Sequence, residues 1–271
     1  MREVKKLNKE QLKAALTIAA RCYPMMEANT LQKLDEIEAR ILKDFDSSKR
    51  EWYGLFEDGV LLGNMVLYDY TVNFYGKDIK ARGIGFVAVE FLHKKQKVAR
   101  DMLSWYLKDS QEKKYSLALL YSFRPDFYKK MGFGYETSCY NFRTHPDRLP
   151  ASKSDNPSGY IGIENLEEVT AFYAELYKAN HGMIRKNPKD LENMLKAEGV
   201  NRVGCRENSK LTALMMFRLI ANDSTNQTTH MKLDLLFSTP TALKTALGFL
   251  YNQADQVSEI DISTPYRDLF Y

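Results

Sequence analysis

GIGFVAVEFLHKKQKVARDMLSWYL, residues 83–107, passes from an apolar run through a basic segment into a helical pattern. Val87-Ala88-Val89 closes an apolar, β-rich run, and His93-Lys94-Lys95-Gln96-Lys97 follows with no acidic residue among them. From Val98 onward, Val98, Ala99, Met102, Leu103, Tyr106 and Leu107 recur at the spacing of one helical face, so the stretch reads as strand, basic turn and amphipathic helix. A strand that feeds a helix through such a turn gathers unpaired backbone N–H groups and positive charge at one place. Two readings stand on these residues alone: a cradle for an anion, most simply a phosphate or pyrophosphate, or a solvated basic turn at the end of a sheet.

Residues 117–121 form a second apolar strand, and Pro125-Asp126-Phe127-Tyr128-Lys129-Lys130-Met131-Gly132 follows it. Proline suits the first helical position, an aspartate the positive end of the helix dipole, and glycine the C-cap. A helix of about one and a half turns carrying Tyr128 is therefore predicted, with a further strand beginning near Tyr135.

Together Val87-Ala88-Val89, HKKQKVA (93–99) and DFYKKMGFGY (126–135) resemble the acyl-CoA core of the GNAT acetyltransferases. In that family one strand splays from its neighbour, an R/Q-x-x-G-x-G/A loop cradles the pyrophosphate, and an F-Y-x-x-x-G-F segment follows. The FYKKMGFGY form, with a second region of similar size behind it, resembles the Eis-type (enhanced intracellular survival) enzymes in particular. The resemblance covers most of residues 1–142 and the rest only weakly. It implies tandem GNAT folds of mixed α/β class, an N-terminal catalytic one and a C-terminal degenerate one. It also implies a third, sterol-carrier-like domain, which the sequence to Tyr271 does not contain, so a form lacking that domain or cut before it is expected.

The rest of the chain fits that order. Asn8 with Gln11 three residues later opens a helix along Leu12, Ala15, Leu16 and Ala19, and Leu31, Leu34, Ile37 and Ile41 mark a second. Glu57-Asp58-Gly59 reads as a hairpin turn between two strands, and residues 73–77 as another turn. Residues 144–159, polar with three prolines, are the best linker candidate, which gives domains at 1–143 and 160–271. The second half repeats the pattern with helices from Asn165, Pro188 and Thr239 and strands at 201–206, 211–219, 231–237 and 259–264. It has neither the basic turn nor the F-Y-x-x-x-G-F segment, so a structural role as a wall of the acceptor site is expected.

Composition narrows the class further. A net charge of +4, from 39 basic and 35 acidic residues, is too mild and too dispersed for a nucleic-acid protein. Cys22, Cys139 and Cys205 are odd in number and widely spaced, which suits a reducing compartment. The first residues, MREVKKLNKEQLK, hold no apolar core of an export signal, and the longest apolar stretches are strand-length. A cytoplasmic protein without membrane or nucleic-acid partners is expected, and Eis-type resemblance implies a homo-oligomer.

The resemblance places acetyl-CoA, as co-substrate and without a metal, against named residues. Val87 and Val89 would pair with the pantetheine amides, and the backbone from Lys94 through Lys95, Gln96, Lys97, Val98 and Ala99 to Arg100 would face the pyrophosphate. Lys97 stands where the family has its first glycine, so a left-handed backbone there would carry a cost of roughly 1–2 kcal/mol. Tyr128 matches the general-acid tyrosine, Glu90 is the candidate base, and Tyr23, Met25 and Met26 fall where the acceptor, a small-molecule or peptide amine, would sit. Core packing accounts equally for Tyr23, Met25 and Met26, and a solvated turn for Glu90. The expected function is N-acetylation of a primary amine by direct attack; the alternative is a non-catalytic tandem-GNAT module that binds CoA or a partner.

Overall fold

A computed structural model describes residues 1–28, 30–46, 50–136, 139–151, 158–221 and 229–264. They fall into two compact units that divide between Gly134 and Tyr135.

The first unit is built on a five-stranded sheet in the order β1-β2-β3-β4-β5. Its strands are β1 (Arg2–Lys6), β2 (Arg50–Glu57), β3 (Val60–Phe74), β4 (Lys77–Val89) and β5 (Leu117–Leu120). All neighbours are antiparallel except β4 and β5. Asp58-Gly59 and Tyr75-Gly76 close the two hairpins with φ of 50° and 85°, and of 49° and 81°, the mirror-image turns that match strand twist. Helices α1 (Lys9–Cys22) and α2 (Leu31–Leu42) cover one face, where Leu12, Leu16, Leu34 and Ile41 pack on Trp52, Phe56 and Val66. Helix α3 (Val98–Glu112) covers the other, its Val98, Met102, Leu103 and Tyr106 against Tyr53, Leu55, Met65 and Leu67. Asn8 caps α1 through both halves of the predicted capping box. The short helix α4 (Pro125–Lys129) ends the unit.

Arg82 is the one arginine of the first sheet that is almost wholly buried, 1% exposed. Its guanidinium meets Glu51 on β2 at 3.1 Å and Asp109 on α3, and the Tyr106 hydroxyl donates to its carbonyl at 2.5 Å. These bonds fasten the second half of α3 to the sheet.

The second unit holds a six-stranded sheet in the order β6-β11-β10-β9-β8-β7. Its strands are β6 (Tyr140–Thr144), β7 (Ser158–Tyr160), β8 (Asn201–Glu207), β9 (Lys210–Ala221), β10 (Thr229–Phe237) and β11 (Glu259–Thr264). Helices α5 (Leu166–Ala179) and α6 (Pro188–Lys196) bury Phe172, Leu176, Leu191 and Leu195 on one face, and α7 (Pro240–Tyr251) buries Ala246 and Leu250 on the other. Strands β8, β9 and β10 form an antiparallel meander, and α7 crosses to β11, which runs parallel to β10. That is the order of β2, β3, β4, α3 and β5, so the second half repeats the topology of the first.

Two details depart from the sequence reading. The strand expected near Tyr135 begins at Tyr140, and it pairs with β11 rather than with the first sheet. The division of the chain therefore falls before residue 143, and the polar stretch from 144 is partly core: Pro146 and Leu149 are buried, Leu149 with the second unit's apolar cluster. Residues 152–157 of the expected linker, and the end of the chain from 265, lie outside the described residues. Among the described residues no helix is long and apolar enough to cross a membrane.

Candidate active site

The site of the first unit starts from a strand that loses one neighbour. β4 pairs with β5 only from Ala81 to Ile84, against Leu117 to Leu120, while β4 itself runs on to Val89. On its other side the register with β3 shifts: Asn64 faces Ala88 and Val66 faces Gly85, so Phe86 and Val87 together oppose Met65. This is a β-bulge, and Phe86 takes φ of 48° within it. A phenylalanine in the left-handed region is rare, because its β-carbon crowds the following carbonyl at a cost of roughly 1–2 kcal/mol. The fully buried Asn64 compensates by donating from Nδ2 to the Phe86 carbonyl at 3.1 Å.

Past the bulge the Glu90 N–H donates to the Leu62 carbonyl on β3 at 2.9 Å. By strand alternation the backbone groups of Val87 and Val89 then point away from β3, toward the side that β5 has left. The end of α1 meets them there. The Tyr23 hydroxyl donates to the Val87 carbonyl at 3.1 Å, and the Cys22 thiol to the Val89 carbonyl at 3.5 Å. Arg21 pairs with the Glu90 carboxylate at 2.8 Å, and the Phe91 N–H donates to its other oxygen at 2.9 Å.

From Glu90 the chain makes one 3₁₀ turn, Phe91–His93, and reaches α3 through two residues with positive φ, Lys95 (64°) and Lys97 (66°). Lys97 is the N-cap of α3, and its side chain makes no capping bond. The left-handed backbone that the glycine position implied is therefore present and is borne by a lysine. Lys94, Lys95, Lys97 and Arg100 are exposed around the helix start, where the first-turn N–H groups lack intrahelical acceptors. Gln96 braces the turn: its amide donates to the Leu92 carbonyl at 3.3 Å and its own carbonyl accepts from Arg2 at 2.8 Å. Arg2 also pairs with Glu57 and with Asp101 in the first turn of α3. Val98 sends its side chain into the core, so only its backbone can face a ligand.

Tyr128 sits on α4, half-buried, with the rings of Phe127 and Phe133 edge-on at 5.1 and 6.0 Å. Among the described residues its hydroxyl makes no hydrogen bond, and burial pushes its pKa above the ordinary phenol value. The Tyr23 phenol is pushed up to about 12, first by burial and then by the ionisable groups of Tyr128 and Cys22.

The structure thus brings Val87, Val89, Glu90, Tyr23 and the turn to α3 around one opening. Met25 stands apart, 85% exposed, and Met26 packs against the apolar clusters under α1. Asn64, Phe86, Cys22 and Arg21 were not singled out from the sequence. Asn64 had a signal, a lone amide inside the apolar run VLLGNMVLY; the bulge at Phe86 had none. On the second sheet His230, Glu259 and Asp261 bring ligand atoms within 4.8 Å of one another, but the Arg143 guanidinium already meets Asp261 at 2.8 Å and Glu259 at 3.3 Å. A guanidinium in that position does the charge-balancing work a cation would do.

Residues 3–136, just under half of the chain, match the family model described as acetyltransferase (GNAT) domain. Among solved structures, 97% of the chain follows a GCN5-related N-acetyltransferase from Anabaena variabilis at TM-score 0.81 and 13% identity, covering 66% of that chain. A probable N-acyltransferase from Enterococcus faecalis aligns over 97% of this chain and 65% of its own at TM-score 0.77 and 18% identity. Eis1 from Mycobacterium abscessus does so over 97% and 65% at TM-score 0.70 and 16% identity. At these identities the likeness is one of fold. This chain spans slightly less than two thirds of the length of these structures. No curated protein matches the sequence. The mixed α/β fold expected from the motifs is borne out, and the family model falls on the half of the chain where the motifs lie.

Proposed function

We propose that the GNAT acetyltransferase domain at residues 3–136 is a working N-acetyltransferase that moves an acetyl group from acetyl-CoA to a primary amine. The observation that carries the proposal is the opening of β4 from β5 beyond Ile84, with a basic, left-handed turn at one end of the gap. The residues fit the coenzyme. The edge of β4 at Val87 and Val89 would offer backbone groups to pantetheine amides once the Cys22 thiol releases the Val89 carbonyl. The α3 start offers N–H groups and partial positive charge to the pyrophosphate, and Lys94, Lys95, Lys97 and Arg100 add exposed cations. Coenzyme pairing with Val87 would require the Tyr23 hydroxyl to give up that carbonyl.

In the reaction the nitrogen of the free amine attacks the thioester carbonyl carbon, the C–S bond breaks, and the sulfur leaves as a thiolate. Tyr128 supplies the proton that converts it to a thiol. A phenol whose pKa is raised by burial is fully protonated at pH 7 and has that proton to give. An alkylamine of pKa ~10.4 is unprotonated in only about one molecule in 2,500 at pH 7, so the amine must also lose a proton on the way. Glu90 was the sequence candidate for that task; with Arg21 on one oxygen and the Phe91 N–H on the other, its carboxylate is better suited to hold the turn in place.

The second unit, which repeats the topology without a basic turn before α7, serves as a degenerate partner fold. With it the chain has the two-unit order of the Eis type. Three free cysteines agree with a cytoplasmic setting, where acetyl-CoA is available.

Calorimetry with acetyl-CoA, followed by a thiol-release assay over a panel of primary amines, tests the reading. Binding with amine-dependent thiol release supports it. Binding without release for any amine would favour a coenzyme-binding module, and no binding would remove the coenzyme altogether.

A further inference from the structure

The residues on the α1 side of the gap are aromatic and face a basic rim. Tyr23 meets Phe86 edge-on at 5.5 Å and Phe123 edge-on, at 87°, at 6.2 Å; Phe86 continues the row to the buried Trp52 at 6.1 Å. Phe123, in the loop after β5, is 74% exposed, and Tyr121 beside it is fully exposed. Tyr23 therefore spans the gap, its hydroxyl on the Val87 carbonyl of β4 and its ring against the loop that follows β5.

Exposed rings of this kind are costly to leave in water and mark a contact surface. Edge-to-face rows leave ring faces and edges free for another ring, and their negative faces attract an ammonium group. The charges nearby oppose a polycation. Glu90 is neutralised by Arg21, Asp126 by Arg124, and the Lys94 ammonium lies 3.9 Å from the Cys22 sulfur at the same opening.

We propose that the acceptor is a single primary amine carried on an aromatic skeleton, an arylalkylamine, with its ring held by Tyr23, Phe86 and Phe123. The proposal rests on the acetyltransferase reading and adds the class of acceptor to it. Phe123 and Tyr23 bind and orient the acceptor; neither takes part in the chemistry on this account. Each ring contact is worth roughly two- to twelvefold in binding.

The experiment uses the full chain with saturating acetyl-CoA and three probes: phenethylamine, hexylamine as an aliphatic chain of similar reach, and spermidine. Phenethylamine is expected to exceed the other two in kcat/KM by about tenfold or more, and Phe123→Ala to reduce the phenethylamine-to-hexylamine ratio by about tenfold. Equal or better turnover of hexylamine or spermidine overturns the proposal. So does a Phe123→Ala variant that lowers all three alike. If acetyl-CoA itself fails to bind by calorimetry, the acetyltransferase reading is what has failed. Fluorescence titration of the protein with phenethylamine then decides the ring site alone: saturable binding weakened at least fivefold by Phe123→Ala supports it, and no binding overturns it.

Discussion

Replacing Lys97 by alanine and by glycine separates two effects that this one residue combines. Lys97 has φ of 66° and ψ of 8° as the N-cap of α3, and no side-chain bond holds it there. Any residue with a β-carbon in that region bears roughly 1–2 kcal/mol of strain, which alanine keeps and glycine removes. Glycine returns about 0.5–1 kcal/mol of that through the greater freedom of the unfolded chain. The glycine variant should then be more stable than the alanine variant by about 0.5–1 kcal/mol, or about 2–4 °C in melting temperature. The ammonium has the opposite consequence for binding. A unit charge about 4 Å from a phosphate in water is worth about 1 kcal/mol, so both variants should bind acetyl-CoA about fivefold more weakly at low salt. In 1 M salt, where the screening length is about 3 Å, the loss should largely vanish. Differential scanning fluorimetry reads the first effect and calorimetry at two salt concentrations the second. A glycine variant that melts below the alanine variant refutes the strain. Parental affinity in both variants at low salt refutes the role of Lys97 at the pyrophosphate.

Tyr128→Phe should lower kcat by about a hundredfold, within the range usual for a general acid, and leave acetyl-CoA affinity within twofold; equal loss of both would mean that the ring only packs. Because burial raises the Tyr128 pKa, its acid form persists below that raised value and is lost only above it. The pH profile of kcat should hence hold past the ordinary phenol range and fall beyond it, and that alkaline limb should be missing in the phenylalanine variant. Arg82→Met removes the buried guanidinium that bridges Glu51 and Asp109; each carboxylate keeps a lysine, Lys6 and Lys113, so the cost should be about 1–3 kcal/mol and the melting temperature should drop by roughly 3 °C or more. Asn64→Leu leaves the part-buried Phe86 carbonyl without its donor, at about 1–3 kcal/mol, and should weaken acetyl-CoA binding along with stability; an unchanged coenzyme Kd would mean that the bulge holds itself.

Local chemistry made much of the first unit legible. The Asn8 and Gln11 pair caps α1 as its spacing implies, Asp58-Gly59 turns the hairpin, and the α3 stripe of Val98, Met102, Leu103 and Tyr106 is buried as a unit. β11 occupies the residues expected of it. Strand β1 carries no periodic signal, because REVKK lies at a sheet edge with Val4 its single apolar residue. The boundary between the units is hidden for a related reason. The polar, proline-rich stretch looks like a linker, yet β6 lies before it and its place is set by pairing with β11, more than a hundred residues later.

Neighbours within a few turns are enough to fix the caps, the hairpin turns, the amphipathic faces and the order of strand, basic turn, helix and FYKKMGF segment. The tertiary structure alone decided where β5 leaves β4, how the bulge at Phe86 directs Val87 and Val89 into the gap, which rings meet around it, and that Arg82 is buried between Glu51 and Asp109. The physical reason is range. Period and capping follow from bonds made a few residues apart, whereas an opening between strands exists only where pairing stops, and its lining comes from segments that folding alone brings together.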